Sequence, residues 1–132
     1  MSQRDVFLNE FRGQTLGSIT DQSSVEEQFQ NEVLRPILKL QNELIILSFQ
    51  NYLRVNKINF NSFTVDKKVV LIENSILKDS KLREILKGII IGLFTSNEYS
   101  LYATNSSNFN KRIISMLIER LQSQIQLLEI NN

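Results

Sequence analysis

The sequence predicts an all-α domain, a four- or five-helix bundle with a long kinked first helix and a long last helix. Three observations predict it. Apolar residues recur at steps of three and four along most of the chain, the spacing of one helical face. Only one Pro and four Gly occur in 132 residues. Leu and Ile dominate among polar corners of Asn, Gln and Ser, a mixture suited to helices joined by short turns rather than to a turn-rich β domain.

Residues 1–23 read as a flexible N-terminal arm and 24–132 as a single helical domain. Gly13, Gly17, Ser18, Thr20, Asp21 and Ser23 crowd the arm's second half. Val6, Phe7, Leu8 and Phe11 offer enough apolar surface for one docked turn. The first strong helix start is Ser24, with Glu27 three residues on and Glu26 where the helix dipole favours negative charge. Phe29, Val33, Ile37, Leu40, Leu44 and Leu47 then mark a helical face running to about Val55. Pro36 lies inside that run, where a missing N–H and a crowded preceding turn kink a helix or start a new one. The face keeps its phase across Pro36, which favours one kinked helix.

An Asn-rich corner follows from Asn56 to Phe63, with Phe60 and Phe63 placed to plug the end of the core. Thr64 caps the next helix, whose buried face is Val65, Val69, Ile72 and Ile76. Asp79 and Ser80 mark a boundary, with Ser80 as the expected cap of a helix burying Leu82, Leu86, Ile89 and Leu93. Thr95 and Glu98 form a second capping box. Asn105-Ser106-Ser107-Asn108 then interrupts the apolar pattern, which resumes through Phe109, Ile113, Met116, Leu117, Leu121 and Leu128. Two arrangements fit: a short helix followed by a long one, or a single helix bent near Ser106.

The chain has no Cys and no His. Disulfides, thiolate or imidazole metal sites, thiol catalysis and Ser-His-Asp arrangements are therefore excluded within it. No catalytic residue, cofactor or metal is expected. The carboxylates Glu26, Glu27, Glu32, Glu43, Glu73, Glu84, Glu98 and Glu119 fall mostly on polar helix sides and read as solvated. A formal net charge of +1 lacks the positive excess that phosphate neutralisation requires, so nucleic acid is not an expected partner. Basic residues at Lys67, Lys68, Lys78, Lys81, Arg83, Lys87, Lys111 and Arg112 are interleaved with acids. The longest apolar run, Ile89 to Phe94, is far short of the ~20 residues of a membrane span. The start of the chain lacks the apolar core of a signal peptide. The expected compartment is the cytoplasm.

Two features point to association. The first helix carries a second apolar face, Leu34, Leu38, Ile45, Phe49 and Tyr52, beside its main stripe. The last helix has Ile114, Ile118, Leu121 and Ile125 beside its own. Either these faces meet neighbours within the chain, or Leu34, Leu38, Ile45, Phe49, Tyr52, Ile114, Ile118 and Ile125 form an interface, most simply of a homodimer or with another protein. Gly88 and Gly92 weaken a helix interior by about 1 kcal/mol each, which close packing of a neighbouring helix would offset. The rival expectation is a small-ligand carrier or enzyme with a pocket between helices, lined by Gln30, Gln41, Asn42, Ser48, Asn105 and Asn110; nucleic-acid binding stands third.

Three stretches carry a resemblance: Leu34-Arg35-Pro36-Ile37-Leu38-Lys39-Leu40-Gln41-Asn42, Lys87-Gly88-Ile89-Ile90-Ile91-Gly92-Leu93-Phe94-Thr95 and Asn105-Ser106-Ser107-Asn108-Phe109-Asn110-Lys111-Arg112. Together they resemble a small uncharacterised Bacteroidetes family, over about Phe29 to Gln124. Some of its members carry the label "glyoxalase". Glyoxalases are similar to a βαβββ scaffold holding metal on His and Glu, so the label transfers no residue to this chain. The resemblance implies a bacterial, cytoplasmic protein.

Overall fold

A computed structural model of the protein describes residues 2–12 and 24–130, and every described secondary-structure element is helical. The expected Gly- and Ser-rich second half of the arm lies outside the described residues. Its first half forms a helix, α1 (Gln3–Phe11), where sequence alone suggested one docked turn. The Ser2 hydroxyl accepts the Asp5 amide and starts it.

The next helical path begins at Ser24, whose hydroxyl accepts the Glu27 amide. It runs as α2 (Val25–Phe29), a π turn over Gln30–Leu34, and α3 (Arg35–Leu40). The π turn answers the proline. Pro36 has no N–H to give to Glu32, and its ring would crowd that carbonyl in an α turn. Widening the preceding turn relieves this, and the Arg35 amide reaches back five residues to the Gln30 carbonyl. Gln41, at φ −93° and ψ 8°, separates α3 from α4 (Asn42–Val55).

This local adjustment decides which side of the chain is inside. A wider turn sets the residues before it back by about one position, roughly 100° of helical rotation. Phe29 thereby aligns with Leu34, Leu38, Ile45, Phe49 and Leu53, and all six are buried. The other predicted face divides. Val33 and Ile37 are buried, whereas Leu40, Leu44 and Leu47 are exposed. The expected main stripe thus leaves the core beyond Ile37, and the expected second stripe becomes the core.

α4 ends with its Ile58 amide bonded to the Leu53 carbonyl and its Lys57 amide to the Arg54 carbonyl, the paired bonds of a Schellman turn. Lys57 occupies the left-handed position usually given to Gly, at φ 54°. Phe60 then turns into the core in a short 3-10 turn and meets Phe49 edge-on at 6.5 Å.

Thr64 caps α5 (Val65–Lys78) as expected. The buried side of α5 is Lys68, Ile72, Ser75 and Ile76; Val65, expected inside, is exposed. α6 (Ser80–Ile91) is capped by Asp79, not Ser80, through the Leu82 amide. It buries Leu82, Leu86 and Ile90, while Ile89 and Leu93 pack at the core's margin. α7 (Ser96–Thr104) opens on the complete Thr95–Glu98 capping box. Asn105, at φ −152° and ψ 56°, breaks the helix before α8 (Ser106–Gln122), so a short helix precedes a long one. Phe109, Ile113, Leu117 and Leu121 line its buried side, and the chain closes through a 3-10 turn at Ile125–Leu128.

At one end of the core Phe29 packs against Phe109 with tilted rings at 4.7 Å and meets Phe94 edge-on at 5.4 Å. Among the described residues, no helix is long and apolar enough to cross a membrane.

The phase assignment makes unequal predictions for two residues two positions apart. Phe49→Ala should cost about 3–5 kcal/mol in urea unfolding, since it opens a cavity in packed surroundings. Leu47→Ala, measured alongside at low protein concentration, should stay within about 0.5 kcal/mol. Comparable losses would mean that the α4 face is assigned the wrong way round. Lys57→Gly should raise stability by about 1 kcal/mol, because Gly removes the left-handed backbone cost; a destabilised variant in the same assay would contradict that backbone assignment.

Candidate interaction surfaces

The described grooves are shallow, and the polar side chains proposed to line a pocket are engaged between helices. Gln30 accepts from Arg112 at 2.8 Å. Gln41 donates to the Ile89 carbonyl at 3.0 Å, joining the start of α4 to α6. Asn42 accepts from Arg120 and exchanges hydrogen bonds with Gln124. Tyr102 donates to Asn110 at 2.6 Å. Ser48 lines the groove between α4 and α6, and Gln30 borders shallow grooves beside α8. Asn105 serves as the break between α7 and α8.

The basic residues are likewise put to structural use. Lys68 is buried, pairs with Glu129 at 2.9 Å and lies 5.2 Å from the Phe60 ring centre. Arg83 donates to the Ile76 and Leu77 carbonyls, satisfying the end of α5. Lys87 pairs with Glu84.

The expected interface residues lie within the chain's own core or against it. Leu34, Leu38, Ile45, Phe49 and Ile125 are buried, and Tyr52, Ile114 and Ile118 pack as partly buried neighbours. They pack into the chain's own core, so the expected second faces of the two helices are satisfied at home. The two glycines also depart from expectation. A Cβ on Gly88 would meet nothing within 4 Å, and one on Gly92 would approach the Gly88 carbonyl of its own helix at 3.0 Å. Neither marks a close approach of a neighbouring helix.

The apolar surface left over lies elsewhere. On α4, Leu44 and Leu47 are 46% and 49% exposed, with Leu40 and Val55 continuing the stripe in both directions. Across the groove, α6 presents Ile85, 49% exposed, and Gly88 on the same outer side. Asn51, Leu82 and Tyr52 form part of the groove's floor and wall. Sequence periodicity contained these leucines but assigned them inside, because nothing in the pattern announces a π turn.

A second feature that sequence reasoning missed is the clamp on α1. Arg4 donates to the Phe94 and Gly92 carbonyls, both at 2.8 Å. Asp5 accepts the Ser96 amide at 2.9 Å. Arg12, its side chain only 8% exposed, donates to the Leu93 carbonyl and to both carboxylate oxygens of Glu98. Glu98 at the same time accepts the Thr95 amide in the capping box, so it is not the solvated carboxylate expected. Leu8 is buried beneath, while Phe7 and Phe11 stack on each other at 5.2 Å on the exposed side.

Both carboxylates of the clamp titrate low. The Ser96 amide is the main cause at Asp5, outweighing the opposing effect of burial. At Glu98 burial pushes upward, but the Arg12 hydrogen bonds, the Thr95 amide and the Arg12 charge together hold the carboxyl below its usual range.

No protein family, curated protein or solved structure compared with this chain matches it.

The clamp makes α1 docking pH-dependent in a defined sense. Depressed carboxylate pKa values contribute stability that is complete above the ordinary values of 3.8 and 4.5 and is lost as pH falls below them through the folded-state values. The amide proton shifts of Ser96 and Thr95 should therefore move together in that acid range; shifts that stay flat until global unfolding would contradict a separable clamp. Glu98→Gln keeps the capping box but removes the charge facing Arg12. It should speed tryptic cleavage after Arg12 by roughly tenfold at neutral pH, by freeing a buried arginine; an unchanged rate would show that α1 is held by other contacts.

Proposed function

We propose that this chain is a non-enzymatic helical protein that acts by association with another protein chain, through the outward face of α4 and the neighbouring side of α6. The proposal includes a four- or five-helix bundle whose first long segment bends at the π turn, and a bacterial, cytoplasmic protein, as the family resemblance implies. One observation carries the reading. Leu40, Leu44, Leu47, Val55 and Ile85 are large apolar side chains left in solvent on adjacent elements, after the chain's own core is complete. A run of exposed apolar residues on one face is the usual mark of a binding surface, whereas isolated ones need no explanation. The groove bordered by Leu47, Val55 and Ile85 has polar groups at its edge, among them Asn56, Asp79 and Lys81, and Gln41 bridges the same two helices farther along at Ile89. An apolar centre with a polar rim is the ordinary anatomy of a protein interface.

A photo-crosslinking side chain placed at Leu47 should give a discrete crosslinked product in cells that produce the protein. The same group at Val70, exposed on α5, should not. No product from position 47, or equal and diffuse products from both, would remove this reading.

A further inference from the structure

We propose that the occupant of this face is a second copy of the chain, paired α4 against α4 in antiparallel, two-fold fashion, with Glu43 of each protomer facing Arg54 of the partner subunit. This rests on the association reading and names the partner. The argument is one of charge and register. Glu43 stands near the start of α4 and Arg54 near its end, both exposed. On a helical wheel they share one flank of the Leu40–Leu44–Leu47–Val55 stripe. Neither has an ion-pair partner among the described residues. The face therefore carries one negative and one positive end.

A two-fold interface sets the same patch on both subunits against itself. Parallel two-fold pairing of α4 would put this flank of the two copies on opposite sides of the interface, so Glu43 and Arg54 would not meet. Antiparallel pairing sets opposite charges together twice. It also matches the apolar register. The midpoint between Glu43 and Arg54 and the midpoint between Leu40 and Val55 fall within one residue of each other, beside Ser48. One axis therefore brings Leu40 toward Val55 of the partner subunit, sets Leu47 near its own copy, and aligns both charge pairs. Each helical residue advances about 1.5 Å, so the two axis positions differ by about 1.5 Å and the two registers by about 3 Å, a slip that long side chains span. Gly88, with open space where a Cβ would stand, leaves α6 low on the side that a second helix would approach. The alternating small and large relief suits helix-on-groove packing.

Sedimentation equilibrium with charge reversal tests the pairing. The unaltered chain should dimerise in the micromolar range. Glu43→Arg and Arg54→Glu should each weaken dimerisation by about tenfold or more, since each replaces two attractions by two repulsions. The combined E43R/R54E chain should recover to within about threefold of the original. Leu47→Asp should leave a folded monomer by circular dichroism. A chain that remains monomeric at about 100 μM overturns the self-pairing, as does a double reversal that stays as weak as the singles. If the monomeric chain still yields the crosslink from position 47 to a different protein, self-pairing fails while the association reading stands. If both are lost, both fall.

Discussion

The arrangement depends on one backbone constraint, the inability of Pro36 to fit an undisturbed α turn. The widened turn at Gln30–Leu34 accommodates it and rotates everything before it relative to everything after. Without that rotation Phe29 would fall out of line with Leu38, Ile45 and Phe49, and the aromatic contacts of Phe29 with Phe94 and Phe109 would lose their geometry. An interior proline ordinarily costs about 3 kcal/mol in a regular helix. Here the cost is redistributed into a wider turn, whose amides still find carbonyls. The same rotation fixes the surface. Two apolar stripes competed for the inside of α4, and the one aligned with Phe29 and Leu34 won.

The two described ends of the chain are fastened in a related way, each by an ion pair whose cation is buried. Arg12 and Glu98 hold α1 to the corner between α6 and α7, and Lys68 and Glu129 hold the last turn to α5. Burying an ion pair seldom adds much stability relative to an apolar pair of similar shape, but leaving one partner alone is costly. Such pairs therefore act on where a segment docks more than on how stable the whole is. Further hydrogen bonds to the backbone complete both fastenings. Arg4 and Arg12 cap carbonyls at Gly92, Leu93 and Phe94, while Gln50 and Asn61 bond the backbone of Leu127, Glu129 and Ile130.

Much of this architecture was legible in the sequence where the signal is local. Ser24, Thr64 and the Thr95–Glu98 pair announced helix starts because capping involves residues three apart. The 105–108 stretch announced a break because Asn and Ser offer the backbone rival hydrogen bonds. The orientation of α4 was not legible. Helical periodicity assumes 3.6 residues per turn throughout, and one π turn shifts every later position relative to earlier ones. Val33 and Ile37 obeyed the predicted stripe; Leu40, Leu44 and Leu47 did not. Lys68 was equally opaque, since its burial depends on Glu129, sixty-one residues away, and no nearby pattern records that partner. The clamp on α1 escaped for the same reason: Arg12 finds its carboxylate across eighty-six positions.

The candidate surface inherits its character from that ambiguity. A helix with one apolar stripe buries it and leaves a polar back. A helix with two stripes about 100° apart must bury both, leave one wet, or offer one to a partner. In α4 the first solution is excluded by geometry, because α6 and the terminal turn approach the Ile45–Phe49–Leu53 side and the Leu44 and Leu47 side stays open. Hydrophobic burial is worth about 25 cal/mol per Å², so an exposed stripe of leucines represents stabilisation left unrealised in the isolated chain. Oppositely charged residues at the two ends of the stripe then decide orientation, since charge selects among partners and registers more than it adds affinity. The sequence of α4 thus encodes two surfaces at once, and a turn that ends at Leu34, before α4 begins, decides which of them is core.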